Sequence, residues 1–134
     1  FEISMGIDRS LYTILEHSLK NDEEHERMVL SLKPYLSPVH VGILSLVKKD
    51  GLKEKTDEIF INIKRKFDAF LDHSGAIGRR YRRLDEIGAP FAITVDHQTL
   101  EDNTVTIRKR DSMEQSRVNI SEIDSILLES VAFP

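Results

Sequence analysis

The sequence predicts an α/β fold in which a small mixed β-sheet is flanked by helices. Between residues 39 and 95, apolar runs rich in β-branched side chains alternate with segments of helical periodicity. This strand–helix–strand alternation implies parallel strands joined by crossover helices. Residues 104–110 alternate between apolar and polar side chains, which indicates a strand with one buried face. With 134 residues and 40% hydrophobic content, the chain can bury such a core.

The first 38 residues are predicted to form one helix followed by a linker. Residues 6–20 carry apolar side chains at helical spacing, which predicts an amphipathic helix: Ile7, Leu11, Ile14 and Leu15. Residues 21–38 are charged at first and end with Pro34 and Pro38. Because proline cannot continue a helix and biases its predecessor towards extended backbone, we expect a linker here and a domain boundary near 37–39.

A regular succession of elements is predicted from residue 39 onwards. The expected elements are, in order, strand 39–47, helix 52–66, strand 68–73, helix 76–88 and strand 91–95. A turn at Lys48–Gly51 is expected between the first strand and the first helix. The inner face of that helix is expected to include three apolar side chains: Ile59, Phe60 and Ile63.

The C-terminal residues are predicted to complete the sheet. A strand at 104–110 is expected to form a hairpin with strand 91–95, with residues 96–103 as the connecting loop. Arg117–Ile120 is a candidate for a short edge strand. Ser121 is expected to cap a final helix that carries Ile123, Ile126, Leu127 and Val131.

The composition excludes several classes of site. The chain has no cysteine, which excludes disulfides, thiolate zinc sites and cysteine nucleophiles. It has no apolar run long enough to span a bilayer and no visible secretory leader, so no membrane partner is expected. These features fit a cytoplasmic location. Because the chain begins with Phe1 in the middle of a pattern, we expect it to be a piece of a longer protein.

The segment Ser74–Gly88 carries the strongest functional signal. It places four arginines on one short predicted helix: Arg79, Arg80, Arg82 and Arg83. A chain with a net charge of -4 has no general reason to concentrate cations there. Guanidinium groups stay charged, bind phosphate through two hydrogen bonds and stack on bases. The cluster therefore indicates an anionic partner.

Helical periodicity sorts the side chains of this helix onto two faces. The apolar ones share a stripe: Ile77, Tyr81 and Leu84. Arg79 and Arg83 then lie on roughly the opposite face. The alternative interpretation is a solvated basic surface on which the arginines pair with Asp85 and Glu86.

No metal site and no catalytic centre is predicted. The five histidines lie far apart without HxxxH or HExxH spacing, so His17 and His73 are expected to be surface or packing residues. Adjacent carboxylates such as Asp85–Glu86 diverge on regular structure and do not form a glycosidase pair. Ser74 beside His73 is not a triad, and Gly75–Gly78 lacks the ending of a phosphate-binding loop.

Four segments of the chain carry a family resemblance. They are Val47–Gly51 (VKKDG), Ser74–Gly88 (SGAIGRRYRRLDEIG), Ile93–Asp96 with Thr99–Asp102 (ITVD and TLED), and Thr104–Val118 (TVTIRKRDSMEQSRV). In this order and spacing they resemble the C-terminal end of the dimeric glycyl-tRNA synthetases of archaea and eukaryotes. The resemblance implies an anticodon-binding domain of class II synthetase fold over residues 39–134, with a small mixed sheet flanked by helices.

The N-terminal residues extend the resemblance. EISMGIDR (Glu2–Arg9) is similar to the last signature of class II synthetases, usually EPSFGIDR in this family. The resemblance assigns ATP binding to Arg9, Glu2 and Gly6, with Arg9 on the γ-phosphate, and it makes residues 1–20 the remnant of a catalytic domain. ATP with Mg²⁺ is the implied cofactor of the full-length enzyme. No cofactor, no catalytic residue and no aminoacylation is expected of this fragment alone.

The resemblance also implies the partner, which is the anticodon stem-loop of tRNA-Gly. Three residue sets are assigned to it: Arg79, Arg80 and Arg83 to phosphates and bases, Asp96, His97 and Thr99 to the base-reading edge, and Arg108, Arg110 and Arg117 in second rank. The sequence departs from the family at His97 and Gln98, where Phe and Asp are common. A histidine still stacks on a base, but over a smaller area.

Two alternatives remain open for this part of the chain. A non-catalytic relative of the same fold, such as an accessory subunit of a mitochondrial DNA polymerase, would bind nucleic acid generally or contact a protein. A pure interaction domain would carry its arginines as ordinary surface residues. The synthetase interpretation implies a homodimeric cytoplasmic parent enzyme that binds neither DNA nor membranes.

Overall fold

The elements of the fold follow one another along the chain with short connections. The computed structural model describes residues 1–47, 49 and 51–133, so that Lys48 and Asp50 of the predicted turn at Lys48–Gly51 lie outside the described residues. In chain order the elements are α1 (Ile7–Ser18), β1 (Leu19–Asp22), β2 (Arg27–Leu30), a 3-10 turn (Pro34–Leu36), β3 (Val41–Ser45), α2 (Leu52–Lys64), β4 (Ala69–Asp72), α3 (Ile77–Ile87), β5 (Phe91–Val95), α4 (His97–Asp102), β6 (Thr104–Lys109), β7 (Gln115–Asn119), a 3-10 turn (Ile120–Glu122) and α5 (Ile123–Val131).

Five strands form the central sheet in the order β4-β3-β5-β6-β7. The first three run parallel, with Ile43 of β3 opposite both Leu71 and Ile93. β6 runs antiparallel to β5, with Ile93 opposite Ile107, and β7 runs antiparallel to β6. The predicted mixed sheet flanked by helices is therefore confirmed.

One face of the sheet carries the larger apolar core, against which α2 and α5 pack. Their fully or nearly buried side chains join those of the strands: Ile59, Ile63, Ile123, Leu127, Val41, Ile43, Ile93, Val95, Val105 and Ile107. The predicted inner face of α2 is confirmed at Ile59 and Ile63, whereas Phe60 lies at its edge, partly buried. α2 and α5 contain the periodic apolar residues that the sequence predicted.

The opposite face is covered by α3, which approaches the backbone of β3 closely. A Cβ atom on Gly42 would lie 2.2 Å from Cδ1 of Leu84, so only glycine fits under this helix. The predicted stripe of α3 faces inwards, and the Tyr81 hydroxyl lies 2.6 Å from Oγ1 of Thr94. Gly88 ends the helix at φ 82, where glycine carries no steric penalty.

Residues 21–38 are not the irregular linker that the sequence predicted. β1 and β2 form an antiparallel hairpin, and the side chains of Arg27 and Val29 turn inwards and are buried. After β2, Leu32 and Ser37 are also buried, and the Ser37 hydroxyl donates a hydrogen bond to the Gly88 carbonyl (2.9 Å). The hairpin packs on α3 because Arg27 finds a carboxylate there. The domain boundary itself stays a prediction.

The carboxylate in question belongs to Asp85, which is 1% exposed on α3. Arg27 donates to one of its oxygens at 2.9 Å, and Arg108 of β6 donates to both at 2.9 and 3.1 Å. A third buried guanidinium, that of Arg110, donates to the carbonyls of three residues: Leu30, Leu32 and Gly88. Together these contacts join the hairpin, α3 and β6 into one unit.

Two local predictions in the C-terminal part are wrong. Residues 96–103 contain the short helix α4 rather than a plain hairpin loop, because Asp96 and Thr99 form a reciprocal cap around its first turn. Ser121 does not cap α5, because it lies within the 3-10 turn Ile120–Glu122 that leads into the helix, and Asn119 caps that turn. The Asn119 side chain accepts the Ser121 N–H at 3.0 Å, and Glu122 accepts the Asn119 N–H at 2.9 Å.

Asp85→Asn should destabilise the fold strongly. Neutralising this carboxylate leaves the buried guanidinium of Arg108 without its ion-pair partner, and breaking a buried pair in this way costs about 3–5 kcal/mol. The measurement is the free energy of unfolding in a urea titration. Glu86→Gln, which removes a charge from the exposed neighbour on the same helix, is the control and should stay within about 0.5 kcal/mol of the wild type. Equal effects of both variants would contradict the structural role of Asp85.

Candidate nucleic-acid interface

The candidate site lies along the carboxyl ends of the three parallel strands. β3, β4 and β5 end next to one another, and the loops that follow them lead into α2, α3 and α4. From β3 the chain first crosses to β4 on one side and then reaches β5 on the other. In open α/β sheets, the crevice at such a change of direction is the usual place of a ligand.

Two arginines of α3 are free to meet a partner. Arg79 and Arg82 are exposed and form no ion pair or side-chain hydrogen bond with any residue that the structure describes. Arg83 is also exposed, but its guanidinium pairs with Asp72 and donates to the Ser74 carbonyl. Of the arginines that the sequence assigned to RNA on this helix, Arg79 therefore has a free guanidinium, whereas the guanidinium of Arg83 already has partners within the protein. Arg82, which that assignment omitted, is as free as Arg79.

Arg80, which the sequence-based assignment gave to RNA, lies inside the protein and is only 4% exposed. Its guanidinium donates to the carbonyls of Ser45 at 2.6 Å and Asp72 at 3.3 Å, at the carboxyl ends of β3 and β4. Helical periodicity placed it at the flank of α3, and the edge of the sheet covers that flank. Arg80 therefore satisfies the last backbone carbonyl of β3 and that of β4.

Asp72 organises the loop that precedes α3. Burial alone would raise the pKa of Asp72, but hydrogen bonds from the N–H and hydroxyl of Ser74 and from Arg83 outweigh it and lower that pKa. The carboxylate is therefore charged at neutral pH and holds Arg83 near the loop. A phosphate at this edge would have to compete with Asp72 for Arg83.

The predicted base-reading residues have divided roles. Asp96 and Thr99 cap α4: Oδ1 of Asp96 accepts the Thr99 N–H, and Oγ1 of Thr99 accepts the Asp96 N–H, both at 3.1 Å. Thr99, which was assigned to the base-reading edge, is fully buried and acts here as part of the helix cap. His97 and Gln98, in the first turn of α4, are exposed. Of the three predicted residues, His97 is the one with a free side chain.

Arg117 reaches Asp96 across β6. Its Nη1 and Nη2 atoms donate to the two Asp96 oxygens at 2.8 and 2.7 Å, and its Nε atom donates to Oγ1 of Thr104 at 2.7 Å. Hydrogen bonding from Arg117 is the main reason that the pKa of Asp96 is lowered to about 2. Asp96 and Arg117 are therefore bound to each other beside the carboxyl end of β5, and neither is a free charge.

Arg108 and Arg110, which were assigned to RNA in second rank, are also buried, 5% and 2% exposed. The alternation of β6 correctly predicted that these two arginines lie on the opposite face of the strand from Val105 and Ile107. The face on which they lie is covered by α3 and by the β1–β2 hairpin, and Arg108 also lies 5.0 Å from the centre of the Tyr81 ring. Period-two alternation gives the side of a sheet, but it does not tell whether that side is covered.

Sequence reasoning missed two further features of this edge. Leu46 and Val47, directly after β3, expose 42% and 40% of their surface and add apolar area beside the polar residues. Ser45, His73 and Asp57 form a chain of hydrogen bonds, with both His73 nitrogens 3.0 Å from their partners. Ser45 is fully buried, so this chain cannot present a nucleophile to a substrate. Neither feature follows the spacing of a helix or a strand in the sequence, so periodicity could not predict it.

The residues assigned to ATP lie far from this edge along the chain, at the start of α1. Glu2, Gly6 and Arg9 are all exposed, and Gly6 accepts the Ser10 N–H at 3.0 Å as α1 begins. An exposed guanidinium in the first turn of a helix suits a phosphate. Their assignment to ATP stays a prediction.

Within residues 1–47, 49 and 51–133, no group of three or more histidine, aspartate and glutamate side chains is arranged to hold a metal ion. None of the helices described above is long and apolar enough to cross a lipid bilayer.

Solved structures with this fold come from aminoacyl-tRNA synthetases. The RNA-binding domain of threonyl-tRNA synthetase from Cryptosporidium parvum is 22% identical, with a TM-score of 0.69 over 78% of this chain and 26% of that one. Prolyl-tRNA synthetase from the same organism is 25% identical, with a TM-score of 0.67 over 76% of this chain and 23% of that one. The fold of this chain is thus shared with parts of these two enzymes.

The sequence comparisons give the family. The model of the anticodon-binding domain matches residues 40–130. This chain belongs to the anticodon-binding domain family, as the sequence-based resemblance predicted.

Curated relatives of higher identity are glycine–tRNA ligases. Those of Archaeoglobus fulgidus and Methanothrix thermoacetophila are 49% and 51% identical over 96% and 94% of this chain. That of Thermobifida fusca is 41% identical over 98% of this chain. The chain spans only 23%, 22% and 30% of the length of these three relatives. The predicted similarity to glycyl-tRNA synthetases is confirmed.

The Asp96–Arg117 pair should stabilise the fold in a pH-dependent way. Because the pKa of Asp96 is about 2 in the folded chain and about 4 in an unfolded one, the pair contributes stability above pH of about 4. That contribution is lost as the pH falls through about 2. In thermal unfolding, Arg117→Met should therefore lower Tm at pH 6, and the difference from wild type should shrink between about pH 4 and pH 2.

The control for this experiment is Lys109→Met, which removes the cation of an exposed pair with Glu114. An exposed pair contributes little, so its Tm difference should be small at every pH. A deficit of Arg117→Met that persists undiminished at pH 2 would contradict an electrostatic origin.

Proposed function

We propose that this chain is the anticodon-binding part of a glycine–tRNA ligase and that it binds the anticodon stem-loop of tRNA-Gly. The observation that carries the proposal is the pair of free guanidinium groups, Arg79 and Arg82. Both lie on α3, the helix that starts beside the carboxyl ends of the parallel strands. The names of the relatives, which match nearly the whole chain, support it.

The exposed residues of the edge divide the work of holding an RNA loop. Arg79 and Arg82 supply cations for phosphates, which set position and affinity without reading sequence. Arg83 joins them when a phosphate displaces Asp72. His97 offers an imidazole face on which an unstacked base can lie, as loops of RNA are commonly read.

Sequence similarity does not favour the alternative of a non-catalytic relative. The similarity to glycine–tRNA ligases includes the N-terminal residues of this chain, since it extends over 96% of it in one relative. A module recruited for general nucleic-acid binding would have no need of that segment. Such a module would bind duplex DNA and tRNA of equal charge alike.

The full-length protein that we infer is an ATP-dependent ligase of glycine and tRNA. Arg9, Glu2 and Gly6 would contribute to its ATP site, with Arg9 on a phosphate, and Mg²⁺ would accompany the nucleotide. The proposal includes a homodimeric parent in the cytoplasm, without DNA or membrane partners. The resemblance assigns only three residues of this chain to that site, so we expect the chain not to aminoacylate tRNA on its own.

Arg79→Ala should weaken tRNA binding and reduce its salt dependence. If Arg79 neutralises one phosphate, the slope of log K against log salt should fall by about one unit. The measurement is a titration with a glycine tRNA transcript at several salt concentrations. The matched control is Arg65→Ala, because Arg65 is an exposed arginine at the C-terminal end of α2, towards the other edge of the sheet.

Equal losses from Arg79→Ala and Arg65→Ala would mean that only the net charge of the chain matters. A wild-type chain whose tRNA affinity does not change with salt would overturn the proposed function.

His97→Ala should weaken binding of the cognate transcript by about 1–3 kcal/mol, the contribution of one stacked base. It should leave the salt slope unchanged, because a ring that stacks on a base replaces no phosphate counterion. The control is Gln98→Ala at the neighbouring exposed position. Unchanged affinity of His97→Ala for the cognate transcript would remove His97 from the interface.

A further inference from the structure

The helix that carries His97 is held by very little apolar packing. α4 has six residues, and Thr99 is its one buried residue, while Leu100 is 44% exposed. So short a helix does not hold its conformation in water by itself. Something other than a hydrophobic face must therefore fix the position of its first turn.

The Asp96–Arg117 pair provides that constraint. Arg117 belongs to the edge strand β7, and its side chain crosses β6 to reach Asp96, the residue that follows β5 and caps α4. Asp96 uses one oxygen for Arg117 and for the Thr99 N–H, and its other oxygen for Arg117 alone. The rotation of the capping carboxylate is thereby fixed, and with it the start of α4.

Neither charge of this pair is available to RNA. Arg117 donates through Nε and both Nη atoms to three internal groups besides Asp96: Oγ1 of Thr104, Oγ1 of Thr106 and the Thr104 carbonyl. These contacts engage all the nitrogen atoms that a guanidinium has. The Asp96 carboxylate would repel a phosphate.

We propose that Asp96 and Arg117 are positioning residues for anticodon recognition. They fix the first turn of α4 so that His97 meets a base of the RNA loop, and they make no RNA contact of their own. The inference rests on the proposed function and assigns to the pair a role in selectivity rather than in general affinity.

The test compares two glycine tRNA transcripts that differ only in the anticodon, titrated into this chain and its variants at one salt concentration and then in a salt series. Arg117→Met keeps the aliphatic stem and removes the pair. It should reduce the preference for the unaltered transcript by about the same factor as His97→Ala. Affinity for the altered transcript and the salt slope should stay as in the wild type.

The double variant gives the sharper result. If Arg117 acts through His97, adding Arg117→Met to His97→Ala should cause no further loss of preference. Asp96→Asn is the second single variant, because asparagine retains a good helix cap while losing the ion pair. It should behave as Arg117→Met does, and circular dichroism establishes that each variant is folded. Lys109→Met, which loses the cation of an exposed pair on β6, should leave the preference unchanged.

Two results would overturn the inference while the proposed function stands. One is an undiminished anticodon preference in folded Arg117→Met. The other is an equal loss of affinity for both transcripts with a salt slope lower by about one unit, which would make Arg117 a phosphate contact. A wild-type chain that binds both transcripts equally would instead overturn anticodon reading itself, and the positioning role with it.

Discussion

Asp85 holds the guanidinium groups of Arg27 and Arg108 inside the domain, and three separate parts of the chain meet at this carboxylate. The β1–β2 hairpin brings Arg27, the sheet brings Arg108, and α3 brings Asp85. Two buried guanidinium groups beside one buried carboxylate are stable only when hydrogen bonds satisfy all three groups. The contacts at 2.9 to 3.1 Å do so, and they orient α3 with respect to both the hairpin and the sheet.

The orientation of α3 decides which of its arginines can work at the surface. With Leu84 packed over Gly42 and Asp85 held from two sides, the inner face of the helix is set, and Arg79 and Arg82 face solvent. A helix anchored in this way presents its cations without further ordering of the backbone, which lowers the entropic cost of meeting an anion. The fold and the interface therefore depend on the same buried contacts.

Residue patterns predicted the sheet and its helices because those elements follow periodic burial. Strand β5 and the inward stripe of α3 are examples. The β1–β2 hairpin was missed because its strands are only four residues long and its inward residues are a valine and an arginine. Among arginines, sequence alone could not separate Arg79 from Arg80 or Arg110, since that difference lies in where carbonyls and carboxylates from distant segments come together.

Burial does not remove a charge from the interface. Arg80 is bound by backbone carbonyls, and it forms no ion pair with any residue that the structure describes. Its positive charge is therefore not cancelled by a carboxylate of its own, and it acts through a medium of lower dielectric than water. Arg80 lies in the first turn of α3, next to Arg79 in the chain, so it adds a like charge to that end of the helix. A chain with a net charge of -4 can in this way keep one positive edge.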